Sequence, residues 1–311
     1  MVNTLTLNPA IDRVLFLDSL RKNVTNRIEG VTEVIGGKGT HVSINLKLLG
    51  LGNRAFGICH GEPGRRIIDY LEEHGVQVEF IHREGASSRT NYLIVERSND
   101  CTIVAEKGVP LGQEDLDAIV GSLRAKTGPG DCLVLSGDAG NCPNPFVYND
   151  IVAALKDKGL RVFIDTSGPA LAKCVELSPF LIKPNLGELS YLCGREVACE
   201  DGDLLRALDS LDGFGVQVIA VSLGSEGSIM KCPEGLYRAR PPRVEVRNTI
   251  GCGDCFLAAL VYGISEGRGY EETLRLATAA SAATAESPLS VGFDPRRAEA
   301  LAPGCDLRRI G

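Results

Sequence analysis

The chain has 311 residues, 44% hydrophobic and 23% charged, enough to bury a full core in one large α/β domain or two modest ones. A formal net charge of −7 and four scattered His exclude a broad basic footprint for nucleic acid, while a local pocket can still oppose the global sign. The Met1 start lacks a charged stretch followed by an apolar one, and the longest apolar run, near 256–264, is too short for a bilayer. The eleven Cys form no regular framework, so the expectation is a cytoplasmic protein with reduced thiols and no membrane partner.

From the N-terminus, a strand-like start leads into short strand-like runs at 14–18, 27–34, 91–96 and 101–105. The polar Arg97-Ser98-Asn99-Asp100 joins the last two runs as a hairpin turn. Helical patterns at 42–49 and 65–74 separate these runs. The pattern predicts a small antiparallel sheet built from segments near 12–35 and 87–108, inserted into one domain spanning 1–311 and able to act as a lid.

Beyond residue 130 short apolar runs alternate with amphipathic ones. Strands are predicted over 131–135, 161–165, 180–183 and 216–221, with a helix over 145–158 stopped by Gly159. Alternation of this kind predicts an α/β fold: a doubly wound, mainly parallel sheet covered on both faces. Ligands in such sheets sit at the carboxyl ends of the strands, which directs attention to Ser136, Asp165, Asn185 and Ser222.

The most informative segment is Asn248-Thr249-Ile250-Gly251-Cys252-Gly253-Asp254-Cys255-Phe256, followed by an apolar helical run. Glycines there allow close backbone approach, and the amides of a helix N-terminus stabilise an anion. An Asp so placed accepts a proton from a hydroxyl, or else simply caps the helix. The segment has neither the Lys-Ser/Thr of a P-loop nor the Gly-x-Gly-x-x-Gly of a dinucleotide site. Cys252 and Cys255 form a Cys-x-x-Cys without a second pair for zinc; a helix N-terminus lowers a thiol's pKa, so redox sensitivity is an expectation to test against plain packing.

With its neighbours, this segment resembles the C-terminal signature of the PfkB (ribokinase-like) carbohydrate kinases, usually Thr-x-Gly-Ala-Gly-Asp-x-Phe. Gly36-Gly37-Lys38-Gly39-Thr40-His41-Val42 is similar to that family's N-terminal signature. Lys183-Pro184-Asn185-Leu186-Gly187-Glu188 and Val221-Ser222-Leu223-Gly224-Ser225-Glu226-Gly227 are similar to two further blocks. The opening Thr6-Leu7-Asn8-Pro9-Ala10-Ile11-Asp12 resembles the branch of 1-phosphofructokinase and tagatose-6-phosphate kinase.

The resemblance implies a ribokinase-like fold and ATP-dependent phosphorylation of a hydroxyl on a small sugar, a ketose phosphate foremost. It makes Asp254 the base and the amides of Gly251, Cys252 and Gly253 an anion hole. Ser222, Gly224 and Gly227 would follow the ATP phosphates and nucleotide, with Lys183 supporting the phosphate region. Asn185 and Glu188 would organise Mg²⁺ through water. A monovalent cation is a further candidate cofactor, and a homodimer through the lid a candidate assembly.

On the sugar side, Asn8 and Asp12 would meet hydroxyls, Gly36 and Gly37 would let backbone approach the ligand, and Lys38 with Arg89 would clamp a phosphate. Three departures from the family pattern bear on the sugar. His41 stands where Asn is usual; Ser136-Gly137-Asp138 replaces Ser-Gly-Ser, setting a negative charge where a donor is expected; and Ala105-Glu106-Lys107-Gly108 lacks the usual Asn-Glu-Pro-Gly. The alternatives are a kinase for an unphosphorylated sugar, polyol or nucleoside, and a non-catalytic sugar- or nucleotide-binding regulator on the same fold.

Overall fold

The computed structural model describes residues 1–310 apart from Asn99, Asp138 and Gly140, so the expectation at Asp138 lies outside the described residues. In chain order the strands are β1 (Val2–Thr6), β2 (Ala10–Leu17), β3 (Gly30–Gly36), β4 (Asn53–His60), β5 (Gln77–Arg83), β6 (Arg89–Glu96) and β7 (Cys101–Ala105). They continue as β8 (Cys132–Ser136), β9 (Arg161–Asp165), β10 (Leu181–Ile182), β11 (Val218–Ser222), β12 (Ser228–Cys232), β13 (Gly235–Arg240) and β14 (Asp306–Arg309). The helices are α1 (Lys38–Leu48), α2 (Gly61–Glu73), α3 (Gln113–Lys126), α4 (Val147–Ala154) and α5 (Gly168–Val175). After them come α6 (Leu186–Cys193), α7 (Asp201–Asp209), α8 (Cys252–Ser265), α9 (Tyr270–Ala285) and α10 (Pro295–Leu301).

A ten-stranded sheet runs in the order β14-β13-β12-β11-β10-β9-β8-β1-β4-β5, parallel from β11 to β5 and antiparallel from β11 to β14. Its central strands are buried on both faces, as a covered parallel sheet requires; β8 is nearly all apolar, while β1 buries Asn3, Thr4 and Thr6. Alternate residues serve opposite layers: Val134 packs in the cluster with α1, α8 and α9, while Leu133 and Leu135 pack with α3 to α7. Gly159, at φ 64°, ends the short 3₁₀ turn after α4, as its sequence position predicts.

β1, β4 and β5 belong to this main sheet although they lie in the N-terminal half, where only lid strands were expected. The antiparallel extension β12–β14 was not foreseen either; its signal is the Pro233-Glu234-Gly235 turn between two short apolar runs.

The lid is a four-stranded sheet ordered β3-β2-β6-β7. Its outer pairs are antiparallel, and the central β2–β6 pair runs parallel. The parallel pair follows from connectivity: β2 leaves the carboxyl end of β1, and β6 follows β5, which lies parallel to β1 through β4. Val14, Leu93 and Val95 give the lid a small core of its own, with Phe16 and Ile250 against it. Leu93→Ala should remove about 2–5 kcal/mol, chiefly from that core. Amide exchange should accelerate across β2, β3, β6 and β7 while β8 to β11 keep their protection; uniform acceleration would show that the lid is not a separable unit.

Candidate functional site

Two cavities open side by side along the carboxyl ends of the parallel strands. The smaller, of about 400 Å³, lies under the lid; the larger, of about 610 Å³, lies between β12, the 241–249 segment and α8–α9. Asn185, Ser222 and Gly253 line both, so the cavities meet there.

The meeting point is built by the turn into α8. Gly251 holds φ 80°, and a Cβ there would overlap the Ser290 carbonyl, so only glycine fits without displacing that strap. Gly251 is also the N-cap, with no side-chain cap. The first intrahelical bond is Cys255 N–H to the Gly251 carbonyl at 2.9 Å. The Gly253 and Asp254 amides precede it and need partners from elsewhere. The Cys252 amide lies 3.4 Å from the Thr249 carbonyl, which partly engages it. Of the amides at this helix end, those of Gly253 and Asp254 are thus the ones turned out toward the cavities.

Asp254 is not a helix cap. It stands in the first turn, buried, and its Oδ2 lies 2.8 Å from His41 Nδ1, while His41 Nε2 lies 2.9 Å from the Ile35 carbonyl. His41, whose departure from the usual Asn bears on the sugar side, has both ring nitrogens committed to protein oxygens. Burial acts against the imidazolium, but the Asp254 hydrogen bond and charge, the Asp12 charge and the Ile35 carbonyl raise its pKa above the ordinary range.

Across the smaller cavity Asp12 is buried, and Asn91 Nδ2 donates to its Oδ1 at 2.7 Å. Burial raises its pKa, with His41, Asn91 and Arg89 acting in the opposite direction. Gly36 is opposite, and a Cβ there would run into the Asp12 carboxylate. Asn8 Nδ2 donates to the Lys107 carbonyl at 3.0 Å, which ties the 105–108 loop to the cavity. Arg89 donates through Nε to the Asn8 carbonyl and through Nη1 to the Glu106 carbonyl, both at 3.2 Å. Asn91 was not among the expected site residues; its signal is register, since it pairs with Asp12 across β2–β6.

The floor holds a carboxylate between two ammonium groups. Lys38 Nζ is 3.5 Å and Lys183 Nζ 3.3 Å from Asp165 Oδ1, and Ser136 Oγ donates to its Oδ2 at 3.4 Å. Asp165, led by attraction over a burial cost, raises the Lys38 pKa. The sequence marked Asp165 by its place after a strand yet gave it no role. It keeps two cations close without leaving them to repel each other freely. Asn185 and Glu188 form a capping box at α6: Glu188 N–H to Asn185 Oδ1 and Asn185 N–H to Glu188 Oε2, both at 2.8 Å. The box leaves Glu188 at the cavity wall with one oxygen uncommitted to it.

The larger cavity carries Gly224, Gly227 and Cys252 with an apolar wall from Val244, Val246, Phe256, Ala282 and Ala285, which suits a flat heteroaromatic group. Gly227, at φ 85°, lies where any Cβ would strike the Ala239 carbonyl. Of the expected site residues that the structure describes, Gly36 alone lines neither cavity; it acts through Asp12.

The sequence pattern described as pfkB family carbohydrate kinase matches residues 5–295. The 1-phosphofructokinase of Bacillus subtilis (strain 168) is 30% identical over 287 residues, covering 92% of this chain and 93% of that protein. A tagatose-6-phosphate kinase of Staphylococcus epidermidis is 30% identical over 281 residues, covering 90% of each. In fold, the chain is similar to phosphofructokinase-2 of Escherichia coli in complex with potassium, with a TM-score of 0.90, 24% identity, and 97% of this chain and 98% of that one covered.

The thiols beside Asp254 behave as packing groups. Burial pushes Cys252 up to about 12 and raises Cys255 further, which overrides the helix-end effect expected from sequence. Alkylation by iodoacetamide at pH 8, followed by mass spectrometry, should therefore label the exposed Cys101 well ahead of Cys252 and Cys255. Early labelling at 252 with loss of ATP turnover would contradict this.

Proposed function

The chain belongs to the pfkB family of carbohydrate kinases, and we propose that it transfers the γ-phosphoryl group of ATP to a hydroxyl of a ketose phosphate. The whole of 1–311 then serves as one ribokinase-like kinase domain closed by its lid. The observation that carries this reading is the abutment of two differently lined cavities at Gly253, with Asp254 on the polar side and the apolar wall on the other. That is the layout for in-line transfer from a nucleotide to an acceptor.

In this reading the sugar lies under the lid, its hydroxyls met by Asp12, Asn91 and Asn8. The acceptor hydroxyl gives its proton to Asp254 as its oxygen bonds to the γ-phosphorus. The bond from that phosphorus to the β–γ bridging oxygen breaks, and ADP departs. The Gly253 and Asp254 amides face the charge that develops, aided by the positive end of α8. Lys183 lies close to Gly253 and adds a buried cation on the same side. Ser222, Gly224 and Gly227 follow the triphosphate into the larger cavity, whose apolar wall takes the base.

Among the described residues no three His, Cys, Asp or Glu side chains cluster into a self-sufficient metal site. Mg²⁺ fits such a donor set, since it keeps much of its water and borrows phosphate oxygens. Glu188 would hold it through water, with Asn185 alongside, and bound there it would neutralise charge on the transferring group. The monovalent cation remains part of the proposal only by likeness to the potassium-bound fold relative.

A phosphorylated acceptor is favoured by the cations of the smaller cavity. Lys38, Lys183 and Arg89 line it with Asp12, Asp165, Glu188 and Asp254, and His41 shares a proton with Asp254, so the support lies in where the cations stand and not in the net charge. Arg89 reaches the cavity from β6 with a fork suited to phosphate oxygens. A dimer through the lid is consistent with the exposed apolar side chains of Val31, Ile103 and Val104. No helix among the described residues is long and apolar enough to cross a membrane. A cytoplasmic location agrees with free cysteines throughout the described residues.

Asp254→Asn should lower kcat by roughly 10²–10⁴ while ATP binding by calorimetry stays near wild type; near-normal turnover would remove Asp254 from the role of base. ADP release with MgATP, measured over sugars paired with their phosphates, should respond to ketose phosphates. Arg89→Met should raise KM for them on the order of tenfold or more, from the loss of a charge-assisted contact. Turnover confined to neutral sugars, polyols or nucleosides would establish the alternative substrate class.

A further inference from the structure

His41 sits on α1 with its side chain 5% exposed and both ring nitrogens facing oxygen atoms. The Ile35 carbonyl can only accept, so Nε2 carries a hydrogen. The other contact then has two allowed forms: an imidazolium donating from Nδ1 to the Asp254 carboxylate, or a neutral ring accepting from a protonated Asp254. A neutral ring facing an ionised carboxylate would set lone pair against lone pair at 2.8 Å. The pair therefore keeps one proton between Nδ1 and Oδ2 as long as the contact is made.

The charged groups around it are few. Asp12 faces the ring from β2, with Arg89 of β6 behind it; Lys38, three residues earlier on α1, is drawn to Asp165 and also feels Asp254. Two carboxylates thus face His41, and both favour its cationic form, with the two basic groups turned toward other partners. The Asn usual at this place in the family could supply a donor but no charge.

We propose that His41 is a positioning residue for the phosphoryl-transfer base: its imidazolium grips Asp254 Oδ2 and leaves Oδ1 for the acceptor hydroxyl. This rests on the reading of Asp254 as base. Loss of that grip leaves Asp254 free to turn, so the acceptor hydroxyl meets a less well placed oxygen. At alkaline pH the shared proton is lost, Nε2 keeps its hydrogen for Ile35, and Nδ1 turns a lone pair to Asp254, so the wild type gains an alkaline limb of its own.

The test compares pH profiles of kcat/KM for wild type and His41→Asn, with His41→Ala as the variant that loses the donor too. His41→Asn should lower kcat/KM and show no alkaline limb from this group. Any ionisation of the substrate phosphates near pH 6 appears in both profiles and cancels. Independently of activity, ¹⁵N-histidine spectra should show His41 doubly protonated at neutral pH, its ionisation falling to lower pH in Asp254→Asn. Superimposable limbs in wild type and His41→Asn, with His41 a neutral single tautomer at pH 7, would overturn the proposal. An active Asp254→Asn enzyme would instead overturn the assignment of the base; an inactive one with unmoved His41→Asn limbs would overturn only the role of His41.

Discussion

The left-handed turn at Gly251 fixes where both ligands can lie. It drops α8 into the structure with its first amides uncapped by any side chain and its axis aimed at the border of two cavities. Because the Ser290 carbonyl fills the space a Cβ would take, the turn cannot drift without moving the strap behind it. From that one constraint follow the position of Gly253 on the border, the placement of Asp254 on the polar side, and its reach to His41 on α1.

Electrostatics in the smaller cavity are arranged as shared charges. One carboxylate, Asp165, is divided between Lys38 and Lys183; one histidine lies between Asp254 and Asp12. Isolated, each of these buried ions would be costly, and a lone carboxylate would hold its proton. Sharing offsets part of that cost, and the Lys and Arg side chains set cations inside an acidic protein. The global charge of −7 says little about the local field.

How much of this the sequence discloses depends on the range of the interaction. Gly251, Gly253 and Asp254 are legible because the turn, the helix start and the carboxylate are contiguous. β9 is legible to the residue, since Val162-Phe163-Ile164 between Arg161 and Asp165, soon after Gly159, has few other uses. The strand-like start was legible, but the place of β1 and β4 in the main sheet was not, because it depends on β1 pairing with β8, far along the chain, and with β4 on its other side. The two Lys on Asp165, Asn91 on Asp12 and His41 on Asp254 are contacts between residues 18 or more apart in the chain, invisible to local pattern. The cysteine pair misled for a related reason: proximity to a helix end is local, whereas burial, which sets their pKa, belongs to the whole fold.

The parallel pairing of β2 with β6 puts Ala10 opposite Arg89 and Asp12 opposite Asn91 in one unbroken register. Three residues that would touch the sugar are thereby welded into a single rigid plate. Such a plate cannot adjust one contact to a new ligand without disturbing the others, so drift in specificity is channelled to residues outside it. The departure at His41 falls there, on α1: a recognition surface of this kind has a fixed jaw and an evolvable one.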